Sequence, residues 1–315
     1  MAISESNQNH GPADSSILDE VQLQQLQQRA RMQRISRRLD KIYRRLYTYP
    51  SSYIDDEYLI YSHVRPDILT LRHDGTYQAD RHFFAPRSRA WVESHPPDTG
   101  DPLARDSVDT WRGFWHWYDE DPEEAERHGA ASLLETYLAI EFEQVARMFG
   151  TLDILSGWSN GPITPTILNN DYMTPRVFAA AEIRKPFAAR TSDMGDDWSR
   201  NDANNTPHVI AMLMHHLSPQ PDLLRTELLV IVGIMRTRLE ICEGHEVAPV
   251  MLITTFAEAR ARITQAYYAD GELVVLQSEI YAFNSPEARA KNVPLFLGYM
   301  ASEPVGETRF LSSLD

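Results

Sequence analysis

Apolar residues fall at alternating steps of three and four from Ile17 to Tyr47, at Leu18, Val21, Met32, Ile35, Leu39, Ile42 and Leu46. Gln25 and Gln28 occupy the two seam positions in the middle. This seven-residue repeat predicts one long helix, and the polar interruption favours packing on another helix, or weak dimerisation, over a strong coiled coil. Pro50 ends it. Between residues 51 and 110 the prolines Pro66, Pro86, Pro96, Pro97 and Pro102 break the pattern into short elements wrapped over a core. Asp109 then precedes a helical aromatic stripe, Trp111, Phe114, Trp115 and Tyr118, which reads as core packing rather than a base-stacking platform.

The next periodic segment, Ala131 to Phe149, places Leu134, Leu138, Val145 and Met148 on one helical face, with Gly150 as its cap. Short β-type runs follow at Leu152–Leu155, Thr164–Leu168 and Val177–Lys185, with a turn over Gly157–Pro162 and a polar loop at residues 190–207. His208–Leu217 reads as a helix, and Asp222–Glu243 as the main helix of the second half. Pro249–Phe256 is an interior strand by its continuous apolar centre, and Ala261–Tyr268, Asp270-Gly271 and Leu273–Phe283 form a hairpin. A short helix or apolar turn surrounds Leu295–Met300. The pattern predicts an α+β fold: a mixed sheet flanked by helices in a three-layer-like core, with a long N-terminal helix and a C-terminal β-hairpin extension. The chain divides into a disordered tail (1–16), a basic helix (17–49), an aromatic-rich region packed on the core (50–130), the α/β core with its hairpin (131–300) and a tail (301–315).

Composition changes this picture in three places. At 315 residues and 43% hydrophobic, the chain can bury a sizeable core, and no apolar run is long enough to cross a bilayer, so no membrane partner is expected. Met1–Ser16 has neither a basic start nor an apolar stretch, unlike a secretory signal, and the single cysteine, Cys242, excludes disulfides and zinc knuckles. A reducing compartment, cytoplasmic or nuclear, follows. The net charge of −15 opposes broad adhesion to nucleic acid, yet Arg29–Arg45 holds eight Lys or Arg against Asp40 alone, a local +7 that leaves −22 on the remainder. A polyanion would meet that helix first, although a solvated helical face also accounts for it.

Candidate chemistry concentrates in carboxylates. Glu141 falls near the middle of an apolar helix face, and a buried carboxylate needs a partner arginine, a raised pKa or a metal. Asp171 ends one β-type run, and Glu182 lies toward the end of the next, with Arg184 two residues on and Lys185 on the opposite face. Two carboxylates and a cation on a sheet edge suit a divalent metal that polarises a phosphate; a hairpin with ordinary surface charges is the plainer alternative. His208 and His215 share a helical face in this reading but have no third ligand. No nucleotide-binding glycine loop, Gly-x-Ser-x-Gly or His-Glu-x-x-His occurs, which removes dehydrogenase, kinase, α/β-hydrolase and zincin readings.

The order helix with inward Glu, strand, strand with Asp, strand with Glu-x-Arg, helix, strand, hairpin resembles the PD-(D/E)xK nuclease superfamily over residues 131–256. Trp111–Tyr118, Ala139-Ile140-Glu141 and Ala181-Glu182-Ile183-Arg184-Lys185-Pro186 resemble a group of filamentous-fungal proteins that carry such a core. The resemblance implies that Asp171 and Glu182 ligate Mg²⁺ (or Mn²⁺) with help from Glu141, in a metal-dependent nuclease or an inactive nucleic-acid-binding relative. Arg184 stands where the superfamily has its lysine, with Lys185 the only nearby substitute, and Asn170 stands where a proline is expected beside the Asp. Arginine stabilises developing phosphorane charge but stays protonated and is no base, so the resemblance leans toward lost cleavage. In that scheme the Arg29–Arg45 helix contacts nucleic acid, while the Leu18–Leu46 heptads serve a homodimer or a partner helix. The same fungal resemblance also allows a non-nuclease accessory protein of a specialised-metabolite gene cluster, binding a small molecule or partner enzyme.

Overall fold

A computed structural model describes residues 13–96, 102–127, 129–143, 158–160, 181–186, 207–215, 217–242 and 244–309, with the backbone alone described at 13–21, 102–108, 158–160, 181–186 and a few single positions. In chain order these residues form α1 (Ala13–Thr48), α2 (Asp56–Tyr61), β1 (Val64–Ile68), β2 (Phe84–Ala85), α3 (Arg89–Glu93), α4 (Pro102–Glu120), α5 (Pro122–Arg127) and α6 (Ala130–Glu143). There follow β3 (Trp158–Asn160), β4 (Ala181–Pro186), β5 (Val209–Met214), α7 (Arg225–Ile241), β6 (Val250–Phe256), β7 (Arg260–Ala269), β8 (Glu272–Gln277), β9 (Tyr281–Ala282), α8 (Pro286–Met300) and β10 (Glu303–Pro304).

The main sheet runs β1-β8-β7-β6-β5-β4-β3, with β9 added to β7. It is mixed: β1 is parallel to β8 and β5 to β6, and the remaining pairs are antiparallel. Helix α7 makes the β5-to-β6 crossover that a parallel pair requires. β5 and β6 are buried along their whole length. Ile210, Met212, Met251 and Ile253 face a core completed by α6, α8 and the aromatic side chains of α4. Val209, Ala211, Leu213, Val250 and Leu252 face the opposite core, closed by α7 and the second half of α1. Helices thus cover both faces of a mixed sheet, the α+β layering expected.

Several expectations need correction. His208–Leu217, read as a helix, is strand β5: its six residues are buried between two helical layers, so the two-residue alternation that marks a half-exposed strand is absent. Trp158–Asn160, assigned to a turn, pairs with β4. Helix α4 begins at Pro102 instead of Thr110, proline being well suited to a first helical turn. Leu273–Phe283 is not one strand, because Ser278 leaves the ladder after Gln277 and β9 resumes at Tyr281. The short helix at Leu295 starts at Pro286, after the N-cap Ser285 whose hydroxyl accepts from Ala288 N–H, and runs fifteen residues. Part of the C-terminal tail is tied down, with β10 on β2 and His245 bridged to Arg309. The Asp270-Gly271 hairpin stands as expected, both residues at positive φ. The expected runs at 152–155 and 164–168 and the loop at 190–206 lie outside the described residues.

One polar group ties the second layer to the sheet. Arg262 of β7 and Glu227 in the first turn of α7 are both fully buried and meet bidentately, at 2.9 Å and 2.5 Å. Thr254 donates to Glu227 at 2.6 Å, Leu224 N–H donates to its other oxygen, and the guanidinium donates to the carbonyls of Gln220 and Asp222. Removing one partner strands a buried charge, which costs about 3–5 kcal/mol, whereas replacing both with apolar groups is far milder. Urea unfolding is expected to find Arg262→Met destabilised by about that amount and the Glu227→Leu/Arg262→Met double variant much closer to wild type. A double variant no better than the single one contradicts this account.

Candidate functional site

Helix α6 lies across β5 and β6 and carries Glu141. Leu134, Leu138 and Phe142 are fully buried beneath it, while Glu141 itself is half-buried at the edge of that face, less enclosed than the apolar pattern implied. Its neighbour one turn back is Tyr137. Burial pushes the Tyr137 phenol well above its usual range, the Glu141 carboxylate beside it pushes further through charge and a hydrogen bond, and Arg289 opposes both. Arg289 of α8 also holds contacts of its own. It pairs with Asp119 at 2.5 Å, donates to Phe283 O and stacks 4.3 Å over the ring of Trp115. Trp115 and Tyr118 are buried core, as the aromatic stripe predicted. Glu135, which the pattern did not single out, is the more buried carboxylate of this helix.

The strand-borne candidates are placed by backbone register. Glu182 pairs with Met212 and Arg184 with Ile210, and those two β5 residues face the core that α6 covers. Pairing fixes the side of the sheet, so Glu182 and Arg184 occupy positions on the side of Glu141. Lys185 pairs with Ser159 and takes the alternate position. Asp171 lies outside the described residues. Among the described elements, three successive strands do separate α6 from α7, but Glu-x-Arg is on the middle one, β4, and the third, β5, reads Val-Ile-Ala-Met-Leu-Met with no ionisable group. Among the described residues no cluster of three His, Cys, Asp or Glu is arranged to hold a metal.

The basic helix lies on the other side. Leu39, Ile42, Tyr43 and Leu46 of α1 are buried in the core shared with α7, so these heptad positions serve the chain's own fold. Toward its start, Leu23 and Leu26 stay exposed. The one acidic residue of the basic stretch, Asp40, is held by Arg236 of α7 at 2.5 Å, and Arg31 pairs with Glu246 at 3.0 Å. Arg37, Lys41 and Arg44 are exposed and enter no ion pair among the described residues. With Arg45, Asp40 and Thr48 they line an open groove of about 500 Å³.

His208 and His215 bracket β5 at its two ends, roughly 20 Å apart along an extended strand, and cannot share a metal. His208 is buried; its Nε2–H donates to Val305 O at 2.8 Å, and Nδ1 has no hydrogen-bond partner among the described residues. Burial, assisted by the charges of His245 and Arg238, pushes its pKa down from 6.5 to about 4. The unfolded chain therefore binds a proton between these values and the folded chain does not. The full contribution to stability is present above pH 6.5 and is lost as pH falls toward 4, a swing of about 3 kcal/mol. His208→Gln is expected to flatten the dependence of the urea midpoint on pH within this window; an unchanged slope contradicts it.

Comparison with family models, curated proteins and solved structures finds no match to this chain.

Proposed function

We propose that this protein binds nucleic acid through the basic face of α1, on a core resembling the PD-(D/E)xK arrangement whose carboxylate side is not the binding surface. The observation that carries the reading is the stripe of exposed cations at Arg37, Lys41 and Arg44, which enter no ion pair among the described residues, on a molecule of net charge −15. Asp40, the residue that would dilute it, is drawn to Arg236. Phosphates neutralised by such a stripe release condensed counterions, so affinity falls steeply with salt and carries little sequence preference. Acidic surface elsewhere confines binding to this helix by repelling the polyanion from the rest.

The layering bears on catalysis. α1 packs on α7, and α6 covers the opposite face of the sheet. A strand lying along α1 has the sheet between it and Glu141, so the helix is poorly placed to present phosphates to the carboxylates. Arg184 in place of a lysine works in the same direction.

A second reading, metal-dependent phosphodiester cleavage at Glu141, Asp171 and Glu182, draws on one observation: Glu182 and Arg184 share a side of the sheet with Glu141. If bound there, Mg²⁺ or Mn²⁺ would supply an activated water, with Arg184 as a fixed positive charge near the phosphate.

Charge reversal at Arg37, Lys41 and Arg44 is expected to weaken oligonucleotide binding at least tenfold at low salt, and to shrink the slope of log affinity against log salt by about 0.7–0.9 for each contact removed. Fluorescence anisotropy across a salt series measures both; binding indifferent to the substitutions contradicts the proposal. Calorimetric titration with Mn²⁺ separates the second reading, which predicts heat and cleavage lost together in Glu182→Ala.

A further inference from the structure

Tyrosine rings flank the groove on α1, Tyr61 beside Arg45 and Tyr47 one turn beyond Arg44. Thr48 and Pro50 end α1, and the chain folds back through Tyr53 to α2, which brings Tyr58 and Tyr61 beside the last turn of the basic helix. Tyr58 OH donates to Arg45 O at 2.6 Å, fixing the approach. Arg45 then lies 4.2 Å over the ring of Tyr61 and donates to its carbonyl. Despite these contacts Tyr61 remains 58% exposed, and Ile60 beside it 74%. On the other flank, Tyr47 sits one turn beyond Arg44, stacked on Tyr43 at 6.4 Å and 11° between planes, and still 41% exposed.

Large rings held in water, beside cations that have no carboxylate partner among the described residues, are an unusual use of surface. Covering them with a flat partner would remove their apolar faces from water, a favourable change. A duplex offers none, because its base faces are already stacked on one another and only its phosphates and the edges of its bases are presented. A single strand presents both: phosphates at the pitch of successive cations, which rise about 5 Å per helical step of three or four residues, and bases free to turn onto the rings.

We infer that the groove lined by Arg37, Lys41, Arg44 and Arg45, with Tyr61 and Tyr47 at its rim, is a single-strand nucleic-acid site: the cations follow the backbone and the tyrosines stack unpaired bases. The inference rests on the nucleic-acid-binding reading above and narrows it to unpaired strands. Stacking needs only a π-face, so the site tolerates any sequence.

The test uses the full chain and labelled oligonucleotides of about 15 nucleotides, a single strand and its matched duplex, in anisotropy titrations with Tyr61→Leu, Tyr47→Leu and Tyr61→Phe. The single strand is expected to bind at least tenfold more tightly than the duplex. Tyr61→Leu should lose about tenfold for the single strand with an unchanged salt slope, Tyr47→Leu should lose a smaller factor, and Tyr61→Phe should retain wild-type affinity. Urea midpoints of the variants guard against loss of fold. Equal affinity for duplex, or leucine variants that bind the single strand as wild type does, overturns this inference while leaving the broader reading intact, provided that reversal of Arg37, Lys41 and Arg44 still weakens binding at least tenfold. No binding of either oligonucleotide, or binding only to vesicles of anionic lipid, overturns both.

Discussion

The buried pair of Arg262 and Glu227 ties helix α7, on which α1 packs, to the sheet. It joins β7 to the first turn of α7, while Thr254 of β6 joins the same carboxylate. The start of α7 is in turn the anchor for the chain that follows α1. Arg225 N–H donates to Ser52 O, Ile54 N–H donates to Leu223 O, and the Arg225 side chain donates to Tyr49 O. A shift in the ion pair would pass through α7 to the Tyr49–Ile54 connection and so to α2 and its tyrosines. The carboxylate also suits its place on electrostatic grounds, since the first turn of a helix presents unsatisfied N–H groups and a positive end. Fully desolvated charges bring little net stability, but they penalise alternative packings heavily. Here they fix one arrangement of α7 on the sheet, and α1 lies on α7.

From this layering follows a division of the molecule into two chemically unlike sides. The α6 side holds Glu135, Glu141, the aromatic side chains of α4 and α8, and the register positions of Glu182 and Arg184. The α7 side holds the exposed cations and the tyrosines. Cations placed across a sheet from carboxylates neither neutralise them nor hand a substrate to them. A ligand held along α1 therefore has the sheet between it and Glu141, which suits recognition better than cleavage.

Much of this was legible before any coordinates. The three-four spacing from Met32 to Leu46 marked the half of α1 that packs, and the charge of Arg29–Arg45 marked its outer face. Asp270-Gly271 marked the hairpin because both positions need positive φ. Strand β5 was misread for a physical reason: Ala, Met and Leu favour helices locally, and a strand covered on both faces shows no alternation to contradict them. β1 escaped notice because Pro66 interrupts it, which an edge strand tolerates. Glu141 stood out by interrupting an apolar stripe. Arg262 and Glu227 could not, since each is unremarkable alone and their meeting depends on the sheet order. Tyr61 joined the basic groove only through the turn at Tyr49–Ile54, a contact no local pattern encodes.

Ultraviolet crosslinking of the full chain to a bromouridine-substituted single strand, followed by mass spectrometry of the linked peptides, tests the central claim most directly. The account predicts crosslinks within residues 37–61, led by Tyr61 and Tyr47, and none on α6. Crosslinks concentrated at residues 130–143 and 181–186, with α1 and α2 unlinked, would place the nucleic acid on the carboxylate side and contradict it.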